Sequence, residues 1–331
     1  MRSIADPPPR SAFARFDPAF GQRFMLTIDT EAEFDRARPL VRDGHGLEHV
    51  PRLAKFQQFC ESESVVPLYL VDWPVARSAR AAEILRGPLA AGQAEIGIRL
   101  HPWVTPPFDE DATARNAFAG NLPRALERTK FRNLRDEIAR HFGVAPVAYR
   151  AGRGGVGANS AAMLAESGVA VDSSVRVTID ASAQGGPDFR RHPSVPYWLD
   201  DELRLLELPQ TTVFWGMLRR QGEWLHPAAS RMPRLRALLA EAGLLERISL
   251  TPEGVSVDAA IHGIDIALDD GLPLLVLSFH SPSLRPGYTP YVRSENDLDD
   301  LYDWWRRVFA YLALREVAPA TVREVMTAVR R

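Results

Sequence analysis

"EIGIRLHPWVTPP", residues 95–107, is an apolar run that ends in Arg99, Leu100 and His101 before Pro102 stops it. Alternate residues of a strand share a face, so Arg99 and His101 point the same way from its carboxyl end. That end is where ligands bind when parallel strands are joined by helices. The tip pairs a fixed cation with an imidazole, and its companions are sought in the rest of the chain.

Six other stretches read as strands: "FMLTID" (24–29), "VVPLYLV" (65–71), "VAYRA" (147–151), "VAVDSSV" (169–175), "RLLELPQ" (204–210) and "LPLLVLSFH" (272–280). Between them lie amphipathic, helix-like segments such as "LEHVPRLAKFQQFCES", "LPRALERTKFRNLRDEIARHFG" and "VDAAIHGIDIALDDG", several of them ending in glycine. This alternation predicts an α/β chain with parallel strands and helical crossovers. Strands apolar on both faces fit a sheet covered by helices or closed into a barrel. The last helix carries a stripe of Leu298, Leu301, Trp304, Trp305, Val308 and Phe309 at helical spacing, which reads as core packing. Residues 1–22, with "DPPPR", are expected to form a loose N-terminal arm, and residues 23–331 a single barrel domain with C-terminal helices.

The 331 residues carry a net charge of −2, so no global field draws the chain to nucleic acid or anionic lipid. The longest apolar stretch, "LPLLVLSF", is far short of the roughly 20 residues that span a bilayer, and the start has no apolar signal core. A cytoplasmic protein is expected. The single cysteine, Cys60, forms no intramolecular disulfide and is expected to be a buried structural thiol. Oligomeric state is not legible.

Polar residues collect at the strand ends. The first strand ends in Asp29 and Glu31, the third in Arg99 and His101, the fourth in Arg150, the fifth in Asp172, the sixth in Glu207 and the seventh in His280. A carboxylate can take a proton from water, and an imidazole can protonate a leaving amine or alcohol. An oxygen and nitrogen ligand set can hold a divalent metal. Asp29 and His280 fit the two proton-transfer roles. A competing signal is "GRGGVG" at 152–157, which matches the dinucleotide fingerprint G-x-G-x-x-G, follows a short strand and has Asp172 further on. It sits mid-chain with Arg150 just before the turn, which favours a tight turn over a nucleotide cradle.

The segments "LTIDTEAEF", "PLYLVDWPVA", "IGIRLHPWVTPPF", "YRAGRGGVG", "LAESGVAVDSSV", "LELPQT" and "LSFHSPSLRPGYTPYV" occur in the order of the polysaccharide deacetylases, the carbohydrate esterases with NodB homology. Over residues 23–293 the chain resembles that family, most of all its bacterial surface-polysaccharide branch. The resemblance implies a distorted (β/α)7 barrel and metal-assisted removal of an N- or O-acetyl group from a saccharide or sugar conjugate. It further implies Asp29 as general base, His280 as general acid, Arg150 orienting the base and Asp172 supporting the acid. Glu31 and His101 would hold a zinc-like divalent metal. Arg99 departs from the pattern, standing where the family carries a histidine ligand. A guanidinium has no lone pair to give a cation. Either the metal site is altered, or Arg99 takes the cation's place and pairs with Asp29 or Glu31. An outward-facing surface pair is a third arrangement.

Trp73 and Trp103 follow strand ends and are expected to stack on sugar rings, with Tyr288 and Tyr291 on a loop that closes over a ligand. Three functions are therefore carried forward: a saccharide deacetylase, a catalytically impaired saccharide-binding relative, and a dinucleotide-binding oxidoreductase.

Overall fold

Strand β2 (Arg23–Thr30, after the two-residue β1, Arg15–Phe16) shows how the sequence builds the sheet. Phe24, Leu26 and Ile28 enter the large core that also takes in the helices, whereas Met25 enters a second core on the opposite face. Both faces are apolar because both are covered. The chain is seen here as a computed structural model that describes residues 1–34, 40–222, 225–226, 238–239 and 242–330.

The later strands are β3 (Leu68–Val71), β4 (Glu95–Leu100), β5 (Ala148–Ala151), β6 (Val171–Asp172), β7 (Tyr197–Trp198), β8 (Leu206–Glu207), β9 (Thr212–Trp215), β10 (Glu246–Ser249), β11 (Leu274–His280), β12 (Ala318–Pro319) and β13 (Val329–Arg330). In space the order is β11, β2, β3, β4, β5, β6, β8, β7, parallel except for the antiparallel β7 and β8 pair, while β12 also pairs with β2. Apart from β12, which no stretch anticipated, the parallel strands fall inside the seven stretches read from the sequence to within a residue. Thr211 N donates to Val276 O (3.2 Å) and Ser278 N to Leu250 O (3.1 Å), drawing the far edge toward β11. The sheet curls into a distorted (β/α) barrel. A short antiparallel pair, β9 with β10, stands beside it.

Helices α1 (Leu53–Ser62), α2 (Trp73–Ala76), α3 (Ala79–Ala90), α4 (Arg124–Phe142), α5 (Ser160–Ser167), α6 (Val257–Asp269) and α7 (Glu295–Leu314) follow the strands, with α8 (Val322–Ala328) near the C-terminus. Ser294 and Asp297 form a reciprocal cap at the start of α7. Its whole expected stripe is buried, with Leu298, Trp304, Trp305 and Phe309 among it. Cys60 is buried in α1, and burial pushes its thiol well up. On the interior of β4, a side chain at Gly97 would collide with Leu70 and the carbonyl of Ala148, so only glycine lets the strands curl this tightly. Residues 1–22 run against the barrel: Ile4 is fully buried, Arg2 N donates to Leu199 O (2.8 Å), and β1 pairs with β13.

Topology overturns the dinucleotide reading. Strands β2, β3, β4, β5, β6 and β8 follow one another in chain order, so the sheet lacks the reversal that opens a nucleotide crevice. The "GRGGVG" stretch makes a single turn at Gly152–Gly154 and then packs on Gly120, whose N donates to Gly155 O (2.7 Å); α5 begins only at Ser160.

One buried acid outside the barrel gives a stability prediction. Glu127 of α4 accepts from Ser160 Oγ at 2.5 Å, and burial pushes its carboxyl up to about 7. The folded state thus keeps a proton that the unfolded chain releases from near 4.5 upward. Its contribution is full below that pH and is lost as pH rises through about 7. Urea unfolding of the wild type and Glu127→Gln should show the wild type's relative stability falling by on the order of 3 kcal/mol over that window. A constant difference would refute the assignment.

Candidate active site

Sheet register sets the two proton-transfer residues side by side. Asp29 and His280 are Cα partners at the carboxyl ends of β2 and β11, with His280 Nε2 3.5 Å from Asp29 Oδ2. Arg150 rises through the barrel interior from β5, fully buried. It donates to Asp29 Oδ1 (2.8 Å), Thr27 Oγ1 (3.0 Å), Ser173 Oγ (2.8 Å) and Ser173 O (2.8 Å). Four hydrogen bonds to three residues fix the guanidinium, and the guanidinium fixes the carboxylate.

Arg99 enters from β4 between two acids. Its Nη1 lies 3.3 Å from Asp29 Oδ2 and its Nη2 3.3 Å from Glu31 Oε2, while His101 Nε2 is 3.0 Å from the same Glu31 oxygen. This is the paired arrangement, not an outward surface contact: Arg99 is 6% exposed. Burial works to raise both carboxyls, but Arg150, Arg99 and His280 hold Asp29 below its ordinary range. Glu31 is held well below its range by His280, Arg99 and His101. Burial depresses His101, whose Nε2 lies within hydrogen-bond distance of both Glu31 Oε2 (3.0 Å) and Arg99 Nε (3.2 Å), while Nδ1 has no partner among the described residues.

The structure brings the expected metal pair, Glu31 and His101, together at 3.0 Å, with Arg99 beside both. A guanidinium, permanently charged, sits within ion-pair distance of both carboxylates that would face a cation. Among the described residues no group of three His, Cys, Asp or Glu side chains forms a metal set. The donors present do not fit a divalent ion.

His280 has a partner that the sequence did not reveal. Its Nδ1 lies 2.6 Å from Glu253 Oε2, and its backbone N donates to Glu253 Oε1 (3.1 Å), which also accepts from Ser283 Oγ (2.6 Å). Burial opposes protonation of His280, yet Glu253, Glu31 and Asp29 raise it above its usual value. One residue further, Ser281 Oγ is 2.9 Å from His49 Nε2, and His49 Nδ1 is 2.9 Å from Glu33 Oε1, bracing the strand tip from behind.

Two cavities meet at His280. One, of about 520 Å³, is lined by Asp29, Arg99, Arg153, Arg176, Arg247 and Thr212, among others. The second, of about 580 Å³, is lined by Glu31, Phe34, Tyr288 and Tyr291. Glu253, His280 and Tyr291 border both. The expected tyrosines thus reach the site.

The other expected residues do not. Asp172 is on the far face of the sheet: Tyr149, Asp172, Glu207 and Tyr197 are register partners in one row, and the Tyr149 ring packs on Phe131 of α4 at 5.8 Å. Arg150, one residue beyond Tyr149, faces the interior instead. Asp172 and Glu207 are neighbours buried between layers, and burial pushes both carboxyls up. Trp103 is 4% exposed, edge-on to His101 (4.5 Å) and Phe34 (5.2 Å), so it packs beneath the site and offers no ring to a sugar. Trp73 packs on the large core and on a small cluster of Trp103, Val104 and Ala117, with Arg77 over its ring, and lines neither cavity.

The architecture matches solved structures. One from Parabacteroides distasonis, provisionally described as a glycoside hydrolase/deacetylase, superposes with a TM-score of 0.56 at 10% identity, covering 91% of this chain and 69% of that one. The chain shares that fold. A protein from Mycobacterium smegmatis, provisionally described as a polysaccharide deacetylase, is 17% identical, with a TM-score of 0.48 over 96% of this chain and 98% of that one. A family 4 carbohydrate esterase from Streptomyces lividans, solved with acetate, is 11% identical, with a TM-score of 0.42 over 94% and 97%. No protein-family model and no curated protein sequence matches the chain. In this barrel the carboxyl ends of β2, β4, β5 and β11 carry the polar cluster. No helix among the described residues is long and apolar enough to cross a membrane.

Proposed function

We propose that the protein is a hydrolase that removes an acetyl group from a saccharide or sugar conjugate, and that it works without a bound metal. The observation that carries this reading is the Asp29 and His280 pair, 3.5 Å apart at the junction of two cavities. Asp29 takes a proton from water as the water oxygen bonds to the acyl carbon. His280 gives its proton to the leaving nitrogen or oxygen as the acyl bond breaks. Arg99 lines the cavity and supplies fixed positive charge where oxyanion character develops. Arg150 keeps Asp29 ionised and aimed. Acetate release from acetylated amino sugars tests the reading; release that is unchanged in His280→Gln would refute it.

A second reading is favoured by one observation. The two guanidiniums that hold Asp29 ionised also make it a weak base, as suits a saccharide-binding protein that has lost turnover. Sugar binding without acetate release would select it. The order of motifs supports a place in the surface-polysaccharide branch, and we take the setting as cytoplasmic on the balanced charge and lone buried thiol.

The pH profile follows from the two partners. The base must be ionised and the acid protonated, so kcat/KM should fall on the acid side below the ordinary carboxylate range and on the alkaline side above the ordinary histidine value. Glu253→Gln removes the negative charge nearest His280, which lowers its pKa and moves only the alkaline limb toward acid. Stopped assays across pH check this; an unmoved limb would separate Glu253 from His280.

A further inference from the structure

The 520 Å³ cavity has a charge that a neutral sugar does not require. Three arginines from separate segments line it: Arg153 after β5, Arg176 after β6 and Arg247 on β10. Arg99 and His280 line it as well, His280 held toward its charged form, and Arg150 lies behind Asp29. Against these stand Asp29, Glu31, Glu246 and Glu253 among the described residues, and the first two are already shared with Arg99. The wall arginines have partners of their own within the protein, so the argument concerns the summed field in a concave site, where charge of one sign is focused.

Arg153 adds an independent sign. Its backbone is left-handed (φ 60°, ψ 13°), a conformation that a non-glycine residue adopts at a cost. Gly154 beside it is left-handed as well (φ 68°), so the turn needs two such residues and only one of them is glycine. The guanidinium lies over the Phe118 ring at 4.7 Å and donates to the side chain of Gln184, and these contacts set its position. Around the arginines are hydroxyl and amide groups, Thr212, Ser249, Ser278 and Gln210, of the kind that bind sugar hydroxyls.

We propose that the ligand of this cavity is an anionic saccharide, an acylated sugar that also carries a phosphate or a carboxylate. The inference deepens the hydrolase reading, from which it takes only the acyl group. Guanidiniums recognise both anions by paired N–H donors.

Calorimetric titration with N-acetylglucosamine, its 1-phosphate and the corresponding uronic acid tests it. At low ionic strength at least one anionic sugar should bind about tenfold more tightly than the neutral one, and roughly 0.5 M salt should erase most of the difference. Preference for the 1-phosphate identifies a phosphosugar, and preference for the uronate identifies a carboxylate. Arg176→Gln and Arg247→Gln should each cut the preference for the anionic sugar. Equal affinity for all three, no binding of any, or a preference indifferent to both substitutions overturns the proposal. Acetate assays separate the two claims: an anionic preference without acetate release sinks only the hydrolase reading, and release without preference sinks only this one.

Discussion

Arg99→His should destabilise the protein in chelator and make its stability depend on zinc. In the wild type one guanidinium serves two buried carboxylates, at 3.3 Å from each. Removing one member of a buried ion pair costs about 3–5 kcal/mol, because the remaining charge is left unbalanced. Asp29 and Glu31 would then face each other without their cation, and both would titrate at higher pH. An imidazole at position 99 would join Glu31 and His101 to give a nitrogen and oxygen donor set of the kind zinc accepts. Zinc at about a hundred times its dissociation constant should then return about 2.7 kcal/mol. Unfolding midpoints of wild type and variant, with chelator and with zinc, check this. A variant as stable as the wild type in chelator would show that the guanidinium holds nothing together.

Asp29→Asn should abolish turnover and weaken the fold together. A general base commonly contributes on the order of 10²–10⁴ in rate, and asparagine cannot accept the proton. The same change strips Arg150 of its charge partner at the centre of the barrel, where four hydrogen bonds pin it in place. Stability should fall by about 3 kcal/mol or more, in the range measured for a buried charge left alone. His280 would also lose one of the charges that raise it, so its pKa should drop. The two effects separate on measurement: kcat falls while sugar affinity, set mainly by the cavity walls, changes little. Turnover within tenfold of the wild type would remove Asp29 from the base role.

The fold was legible because its signals are local. Each parallel strand is a short apolar run bounded by turns, and the buried stripe of α7 follows simple helical spacing. Asp29, His280, Arg150 and Arg99 were legible as strand-end polar residues, and the sequence had already posed the pairing that Arg99 makes. Asp172 was misplaced by parity. One residue's shift along a strand exchanges the two faces of the sheet, and in "VAVDSSV" it is Ser173 that shares the interior with Arg150. Trp103 and Trp73 illustrate another limit, since nothing in a tryptophan's sequence position distinguishes packing beneath a site from stacking above it. Glu253 lies in the turn that follows β10, a strand with no clear periodicity, and reaches His280 only through the folding of the chain. The wall arginines are dispersed between residues 153 and 247, so their convergence is a property of the barrel alone.

The central claim is that the Arg99 guanidinium stands where a cation would be held by Asp29, Glu31 and His101. Calorimetric titration of zinc into the purified wild type tests it most directly. The account predicts no stoichiometric binding at this cluster. A single tight site that disappears in Glu31→Gln and in His101→Ala would contradict it.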